Sequence, residues 1–226
     1  MSVWYAQDLV CERCQHAFST VLARGIHARR VPEVRAQILT GQLHYIHCPA
    51  CNASVDAHRD VAYTDFGRFH WVHVGTPAAL DDWATLERYA LETFDRYMLG
   101  GPPAVAELAT RFRIRVVFDL DELREKLAIW DASLDDALIE CAKARCLAER
   151  PSLAGPERRI RVRAIEDTQL VMAAVDAAHP RVDVARWVVP RSILDDVVAH
   201  RDEWARRMPE LFERGFVSLD RYLHST

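Results

Sequence analysis

The feature that most constrains this chain is a set of four cysteines arranged as two C-x-x-C pairs. The first pair, CERC, contains Cys11 and Cys14, and the second, CPAC, contains Cys48 and Cys51. Two thiolates three positions apart on a tight turn can bind one ion, and two such turns together offer four sulfurs in a tetrahedron. Zinc prefers this ligand set and has no redox chemistry of its own. The spacing therefore predicts one structural Zn²⁺ per chain.

A thiol–disulfide redox protein is an alternative interpretation of the same cysteines. A redox-active C-x-x-C pair normally opens a helix, whose N-terminus lowers the thiol pKa, whereas apparent strands flank both pairs here. A catalytic zinc site is disfavoured because four thiolates close the coordination sphere. Gln15 and Asn52 follow the two pairs, at a position where the backbone tends toward positive φ. Asn adopts that conformation more readily than Gln, so the first turn is the less ideal one.

The first third of the chain is also rich in histidine, which raises the question of a second metal site. No pair of these histidines shows the HExxH spacing of a metalloprotease, and in strand-like segments we expect them to be ordinary exposed residues. An enzyme whose site is assembled from dispersed histidines and carboxylates stays an alternative. The seven histidines are His16, His27, His44, His47, His58, His70 and His73.

Apolar periodicity predicts an antiparallel β module with an inserted helix in residues 1–75. The helix begins near Pro32 and ends at Gly41, as proline at a first turn and glycine after a last turn indicate. Each cysteine pair lies next to strand-like sequence. The expected strands are residues 17–30, 43–47, 53–65 and 68–74, the last two forming a hairpin.

After Thr76 the apolar period changes from two to about 3.6, which predicts a helical segment. A strand is expected at residues 113–118, followed by two helices that meet at a corner where Ser133 caps the second. Cys141 and Cys146 fall in this last helix, and we interpret them as buried core residues. The stripe predicted for the first long helix is Leu80, Trp83, Leu86, Ala90, Phe94 and Tyr97.

The segment PSLAGP, residues 151–156, is the best candidate for a domain boundary because proline and glycine bracket it. We therefore expect a first domain at residues 1–150 and a small C-terminal α/β unit at residues 157–226 that packs on it. Alternation along the first strand of that unit places Arg161 and Arg163 together on one face, which we expect to be exposed to solvent.

Together, CERC, CPAC and the stretch RVVFDLDELREKLAIWDASLDDALIE resemble the CpXC family of bacterial and archaeal proteins. CPAC has the C-P-x-C pattern of the family, whereas CERC lacks the proline. The resemblance covers roughly residues 9–150. It implies metal binding through Cys11, Cys14, Cys48 and Cys51, and it implies no catalytic residues.

The expected class is α+β, and the expected function is a zinc-stabilised, non-enzymatic protein-interaction or scaffolding module. No phosphate loop, nucleophile motif or HExxH is present. Residues 1–75 contain seven basic and six acidic residues, so a nucleic-acid-binding zinc ribbon ranks last. Without a long apolar run or a signal-like start, we expect a cytoplasmic protein that avoids membranes. The expected partner is another protein or a second copy of the chain.

Overall fold

The computed structural model describes residues 2–57 and 59–223, so the predicted strand residue His58 lies outside the described residues. The fold class is α+β, as expected. The strands are β1 Val3–Val10, β2 Ala17–His27, β3 Tyr45–His47, β4 Ser54–Asp56, β5 Val61–Asp65, β6 His70–Val74, β7 Arg113–Val117, β8 Arg158–Ile165, β9 Gln169–Asp176 and β10 Asp183–Pro190. The helices are α1 Pro32–Leu39, α2 Trp83–Phe94, α3 Pro103–Ala109, α4 Leu120–Asp131, α5 Asp136–Ala148, α6 Arg191–Ala199, α7 Arg201–Arg207 and α8 Asp220–Leu223.

A mixed five-stranded sheet in the order β1-β2-β5-β6-β7 forms the centre of residues 2–117. β1 pairs with β2 and β5 with β6 in antiparallel fashion, while β2–β5 and β6–β7 are parallel. Each parallel pair requires a crossover, which α1 and the small β3–β4 hairpin supply in the first case and α2 and α3 in the second. The antiparallel module is therefore continuous with a larger mixed sheet.

The predicted strand at residues 53–65 is two strands in the structure. β4 pairs with β3 in a separate two-stranded sheet, and β5 runs parallel to β2 in the large one. Within β5 every second side chain is buried, whereas in β4 Ser54 is exposed and Val55 is partly buried. Periodicity thus identified strand residues and missed the change of partner.

The helix predicted after Thr76 is also divided. A 3₁₀ turn covers Pro77–Asp82, α2 follows, and a π-helical turn covers Asp95–Leu99. The wider π turn rotates the last stripe position off the core, so Tyr97 is 70% exposed and its predicted burial is wrong. α1 does begin with Pro32 and is followed by Gly41 at φ +72°, as predicted.

The corner between α4 and α5 is capped differently from the prediction. Ser133 has φ +57° and belongs to the turn, while Asp135 is the N-cap whose carboxylate accepts a hydrogen bond from Ala137 N–H. Asp119 caps α4 in the same way, accepting from the N–H of Glu122. Aspartate suits both N-cap positions, because its carboxylate oxygens accept hydrogen bonds from the free N–H groups at the start of a helix.

The C-terminal region is an antiparallel sheet, β10-β9-β8, with α6 packed on it. α4 contacts both β6 and β7 of the first sheet and β8 of the second, so it lies between them. One apolar core contains Leu127 and Ile139 from one side of residues 151–156, and Leu170, Met172 and Val217 from the other. The two regions share this core, and their division into domains stays a prediction.

Candidate metal centre

The four cysteines of the two C-x-x-C pairs come together at the ends of two hairpins. Cys11 and Cys14 lie in the turn between β1 and β2, and Cys48 and Cys51 in the turn between β3 and β4. All four Sγ atoms lie within 4.8 Å of one another, with 3.6 Å from Cys11 to Cys51 and from Cys14 to Cys48. A tetrahedron with metal–sulfur bonds of about 2.3 Å has edges of about 3.8 Å. The arrangement thus fits a single tetrahedral metal ion.

The two turns have the same backbone geometry. In the first, Gln15 N–H donates to Cys11 O over 2.8 Å, and in the second, Asn52 N–H donates to Cys48 O over 2.9 Å. Gln15 has φ 58° and Asn52 has φ 56°, so both residues adopt the left-handed conformation. The expected departure from an ideal turn is therefore confirmed at Gln15, a residue for which that conformation is unfavourable.

The electrostatics of the sulfurs also favour a bound cation. The N–H of His16 lowers the pKa of Cys14, but the neighbouring Cys51 thiol, burial and the Cys48 thiol outweigh it and raise that pKa to about 12. The N–H of Cys14 lowers the pKa of Cys11 to about 7. One thiolate therefore forms easily and a second does not, because negative charge accumulates among close sulfurs. A divalent cation removes that repulsion and holds all four as thiolates.

None of the four cysteines lies at the start of a helix, since a strand precedes and follows each turn. This position lacks the helix N-terminus that makes a redox C-x-x-C reactive. Cys141 and Cys146 are buried in α5, and burial raises the pKa of Cys141 to about 12. Both behave as the core residues that the apolar pattern indicated.

Three of the histidines that we expected to be exposed are buried. His70 and His73 belong to β6, an inner strand of the sheet that is covered on both faces. His44 accepts a hydrogen bond from Ala23 N–H with its Nε2 over 2.9 Å. Burial lowers the pKa of His44 and of His70 to about 4. These two rings are therefore neutral, and among the described residues the group that could hold a metal ion consists of the four cysteines without a histidine.

The largest difference from the sequence analysis is a buried charged cluster between α4, α5, β8 and α8. The prediction that Arg161 is exposed to solvent is wrong: its side chain is 1% exposed and lies 3.3 Å from Asp220 and 3.7 Å from Glu122. Arg163 is half-buried and pairs with Asp121 and Asp183. The alternating pattern placed these arginines on one face correctly, but that face packs against α4 and is not exposed to solvent.

Both lysines of the chain belong to this cluster, a feature that the sequence prediction did not use. Lys126 and Lys143 are the only lysines in the chain, and both are fully buried. Lys126 Nζ lies 3.1 Å from Glu140, and Lys143 Nζ lies 2.8 Å from both Glu125 and Glu140. Every other position of the Lys and Arg type in the chain is arginine, so the two lysines, one in α4 and one in α5, were the sequence feature that could have indicated this cluster. A compact ammonium group can bind several carboxylates without the planar geometry that a guanidinium imposes.

The carboxylates of the charged cluster differ widely in pKa. Burial raises the pKa of Asp136 and of Glu140, but the basic residues beside them reverse this: Arg115 and Lys126 hold the pKa of Asp136 far below its usual range. Lys126 and Lys143 bring the pKa of Glu140 to about 2. Burial raises the pKa of Glu122 to about 7 against the opposing charge of Arg161, and repulsion from Asp119 and Asp220 adds to the effect of burial. Asp136 therefore acts as the partner of Arg115 and Lys126, a role that its position at a helix start did not indicate.

The four-cysteine cluster on two hairpins of an α+β fold defines this chain as a metal-binding protein. More particularly, it belongs to the CpXC family, because the model of the family described as CpXC protein matches residues 9–143. Comparison with curated proteins and with solved structures found no match. Within the described part of the chain, no helix has the length and apolar character needed to cross a membrane.

Proposed function

We propose that this protein is a zinc-stabilised, non-enzymatic protein-interaction module that acts in the cytoplasm. The observation that carries the proposal is an exposed apolar surface on the β1–β2 hairpin, which ends in the first cysteine turn. Four free thiolate ligands suit a reducing compartment. The buried charged cluster is enclosed and its members pair with one another, so it offers no open site for a substrate.

The hairpin surface consists of side chains from alternate positions of two paired strands. Trp4 is 41% exposed, Val10 is 55% exposed and Val21 is 62% exposed. The register pairs Ala6 with Val21 and Val10 with Ala17, so these side chains are on one face. Leu9 and Leu22 face the other way and are buried. The hydrogen-bonded Asp8–Ser19 pair lies on the same face, between Val10 and Val21, so the apolar side chains form two exposed groups on one surface. Exposed apolar side chains grouped on one face mark an interaction site more often than a random surface does.

The edge of the same hairpin favours a second copy of the chain as the partner. β1 is the outermost strand of the five-stranded sheet, and it has eight residues of which Asp8 alone is charged. Natural proteins usually protect such an edge with charges, prolines or a short strand. Two copies joined antiparallel along β1 would continue the sheet in a closed twofold contact and place their two exposed faces side by side on one surface.

Zinc is the metal that the four-sulfur geometry favours. We expect protein purified without added metal to contain one zinc per chain, with Zn–S distances of about 2.3 Å by X-ray absorption. The paired substitution Cys48→Ser and Cys51→Ser should abolish metal binding, whereas Cys146→Ala should leave the stoichiometry unchanged. Elemental analysis decides the point. Iron in place of zinc, or metal-free wild-type protein, would contradict the proposal.

Sedimentation velocity over a range of concentrations tests the interaction surface. We expect a wild-type dimer, and we expect Trp4→Asp to be monomeric because it places a charge on the edge strand β1, where the two copies would meet. Val198→Asp is the matched control, since Val198 on α6 is 49% exposed and lies outside the hairpin. Circular dichroism checks that both variants are folded. A monomeric wild type, or a dimer that Trp4→Asp leaves intact, would refute the proposal.

A further inference from the structure

A pocket of about 510 Å³ opens where β6 and β7 begin, on the side of the α4–α5 corner. The starts of β6 and β7 are adjacent there, because His70 is paired with Arg113 in the parallel register. The pocket is distant in sequence from the four cysteines, and none of them lines it. Its principal lining residues are Arg68, His70, Arg111, Arg113, Trp130 and Ser133.

Two arginines of this pocket have aromatic partners in place of acidic ones. The guanidinium of Arg111 lies 3.8 Å from the centre of the Phe69 ring, and that of Arg113 lies 5.3 Å from the Trp130 ring. Among the described residues, neither has a carboxylate within ion-pair distance. By contrast, Arg115 on the same strand has its Nε 2.7 Å from Asp136. The rings fix both guanidinium planes and leave their N–H groups free to bind an anion.

The remaining charges of the pocket do not cancel these two. Arg68 lies 3.4 Å from Asp65 and 3.7 Å from Asp131, which compensates this third arginine. Asp135 also lines the pocket, but its carboxylate is 2.7 Å from Arg201. Arg111 and Arg113 therefore supply an excess of positive charge in a concave site, where the surrounding protein strengthens the field.

The floor of the pocket contains an unusual histidine. His70 is 8% exposed, and its ring lies 4.2 Å from the Trp130 ring. Its Nδ1 is buried without a hydrogen-bond partner. Burial and the charge of Arg113 keep the ring neutral by lowering its pKa to about 4. A neutral imidazole has one N–H, which can donate to a ligand.

We propose that this pocket binds the phosphate group of a small organic phosphate monoester. Guanidinium groups bind phosphate through paired N–H donors, and a dianion matches the two uncompensated arginines. The pocket is larger than a phosphate ion and falls in the size range of sites for small organic ligands. Phe69 and Leu134, both half-buried, provide apolar walls for the organic part.

Titration calorimetry at constant ionic strength tests the chemistry with three probes: phenyl phosphate, inorganic phosphate and benzoate. We expect saturable binding of phenyl phosphate, weaker binding of inorganic phosphate, and the weakest binding of benzoate. Inorganic phosphate binding as tightly as phenyl phosphate would overturn the assignment to an organic ester. Benzoate binding as tightly as phenyl phosphate would overturn the assignment to phosphate.

Substitutions locate the site. Arg113→Gln and Arg111→Gln should each weaken phenyl phosphate binding about tenfold or more, as expected for losing a charge-assisted bond. Arg88→Gln is the matched control, because Arg88 is exposed outside the pocket and carries the same charge. Arg111 is itself exposed, so its variant keeps the test independent of folding. No binding, or equal weakening by Arg88→Gln, would overturn the proposal.

Discussion

At the scale of single residues, Arg161 is a cation that four buried carboxylates share. Burial alone would lower the pKa of this guanidinium, but Glu122, Asp220 and other carboxylates outweigh that effect and raise it well above its ordinary value. Arg161 forms ion pairs with Glu122 of α4 and with Asp220 of α8, two helices that are distant in the sequence. Its partners have no water to replace it, so its removal leaves uncompensated charges in the interior.

We therefore predict that Arg161→Met lowers the free energy of unfolding by about 3–5 kcal/mol, because carboxylates would stay buried without a cation. Urea denaturation of purified protein measures the loss. Arg158→Met is the matched control in the same strand: Arg158 is more exposed and pairs loosely with Glu157, so its change should be less than about 1 kcal/mol. Equal effects of the two substitutions would show that the charged cluster is not a unit.

A second residue prediction concerns acid pH and His44. In the unfolded chain this histidine has the ordinary pKa of 6.5, and in the fold it has a pKa of about 4, because burial and then Arg181 disfavour its charged form. The unfolded chain thus binds the additional proton between these values, so stability is present above pH 6.5 and is lost as pH falls toward 4. Protonation would also abolish the acceptor that Nε2 offers Ala23.

Replacing His44→Gln should reduce this loss, since glutamine can accept the same hydrogen bond and does not titrate. Urea unfolding at pH 7 and pH 5 measures it as a smaller difference between the two pH values than in the wild type. His179→Gln is the control, because His179 is exposed. If the free energy of unfolding changed with pH equally in the wild type and in His44→Gln, protonation of His44 would not be the cause of the loss of stability.

At the scale of elements, the two cysteine hairpins differ in how they are attached. β3 and β4 have three residues each and, among the described residues, pair only with one another. β2, by contrast, continues from the first cysteine turn into the large sheet, where Gly25–His27 pair with β5. A short two-stranded hairpin has little stability of its own, so the second cysteine turn depends on metal more than the first.

We predict that removing the bound metal, which we propose to be zinc, with a chelator increases hydrogen exchange in β3, β4 and residues 11–16, while Gly25–His27 and α5 keep their protection. Metal binding supplies folding free energy to the hairpin, whereas the sheet and helices have an apolar core. Exchange mass spectrometry measures this, and adding zinc back should restore protection. The doubly substituted Cys48→Ser, Cys51→Ser protein should match the stripped wild type. Unchanged exchange in β3 and β4 would mean that the ion is dispensable.

At the scale of the whole molecule, the contacts across residues 151–156 are extensive. Glu125 accepts from Val162 N–H over 2.6 Å, and Lys126 donates to Val217 O over 2.6 Å. Glu140 accepts from Leu219 N–H over 2.9 Å. Side chains of the CpXC-matched region thus complete the hydrogen bonding of the C-terminal region, within a shared apolar core.

Residues 1–150 expressed alone should therefore lack a cooperative unfolding transition, because α4 and α5 would lose the cover of β8 and the cation of Arg161. Circular dichroism during urea denaturation measures it against the full chain. Supplying residues 157–226 as a separate polypeptide should restore the transition. A fragment that unfolds at the same urea concentration as the full chain would show that the first region is independent.

The sequence alone determined what depends on short spacing. Two C-x-x-C pairs define turns whose sulfurs point inward, and Pro32 and Gly41 mark the limits of α1, because these effects act within a few residues. The same local reasoning identified most strands and helices. It also identified the residues that share a strand face, including Arg161 and Arg163.

Tertiary structure decided what covers each face. Whether Arg161 meets water or four carboxylates depends on α4 and α8, which lie far along the chain and carry no mark of that contact in their spacing. The division of strand 53–65 between two sheets and the burial of His44 have the same origin. A periodic pattern shows which side chains share a face, and the packing of distant elements decides whether that face is buried. A polar face is buried only where the packing element also supplies its hydrogen-bonding or charged partners.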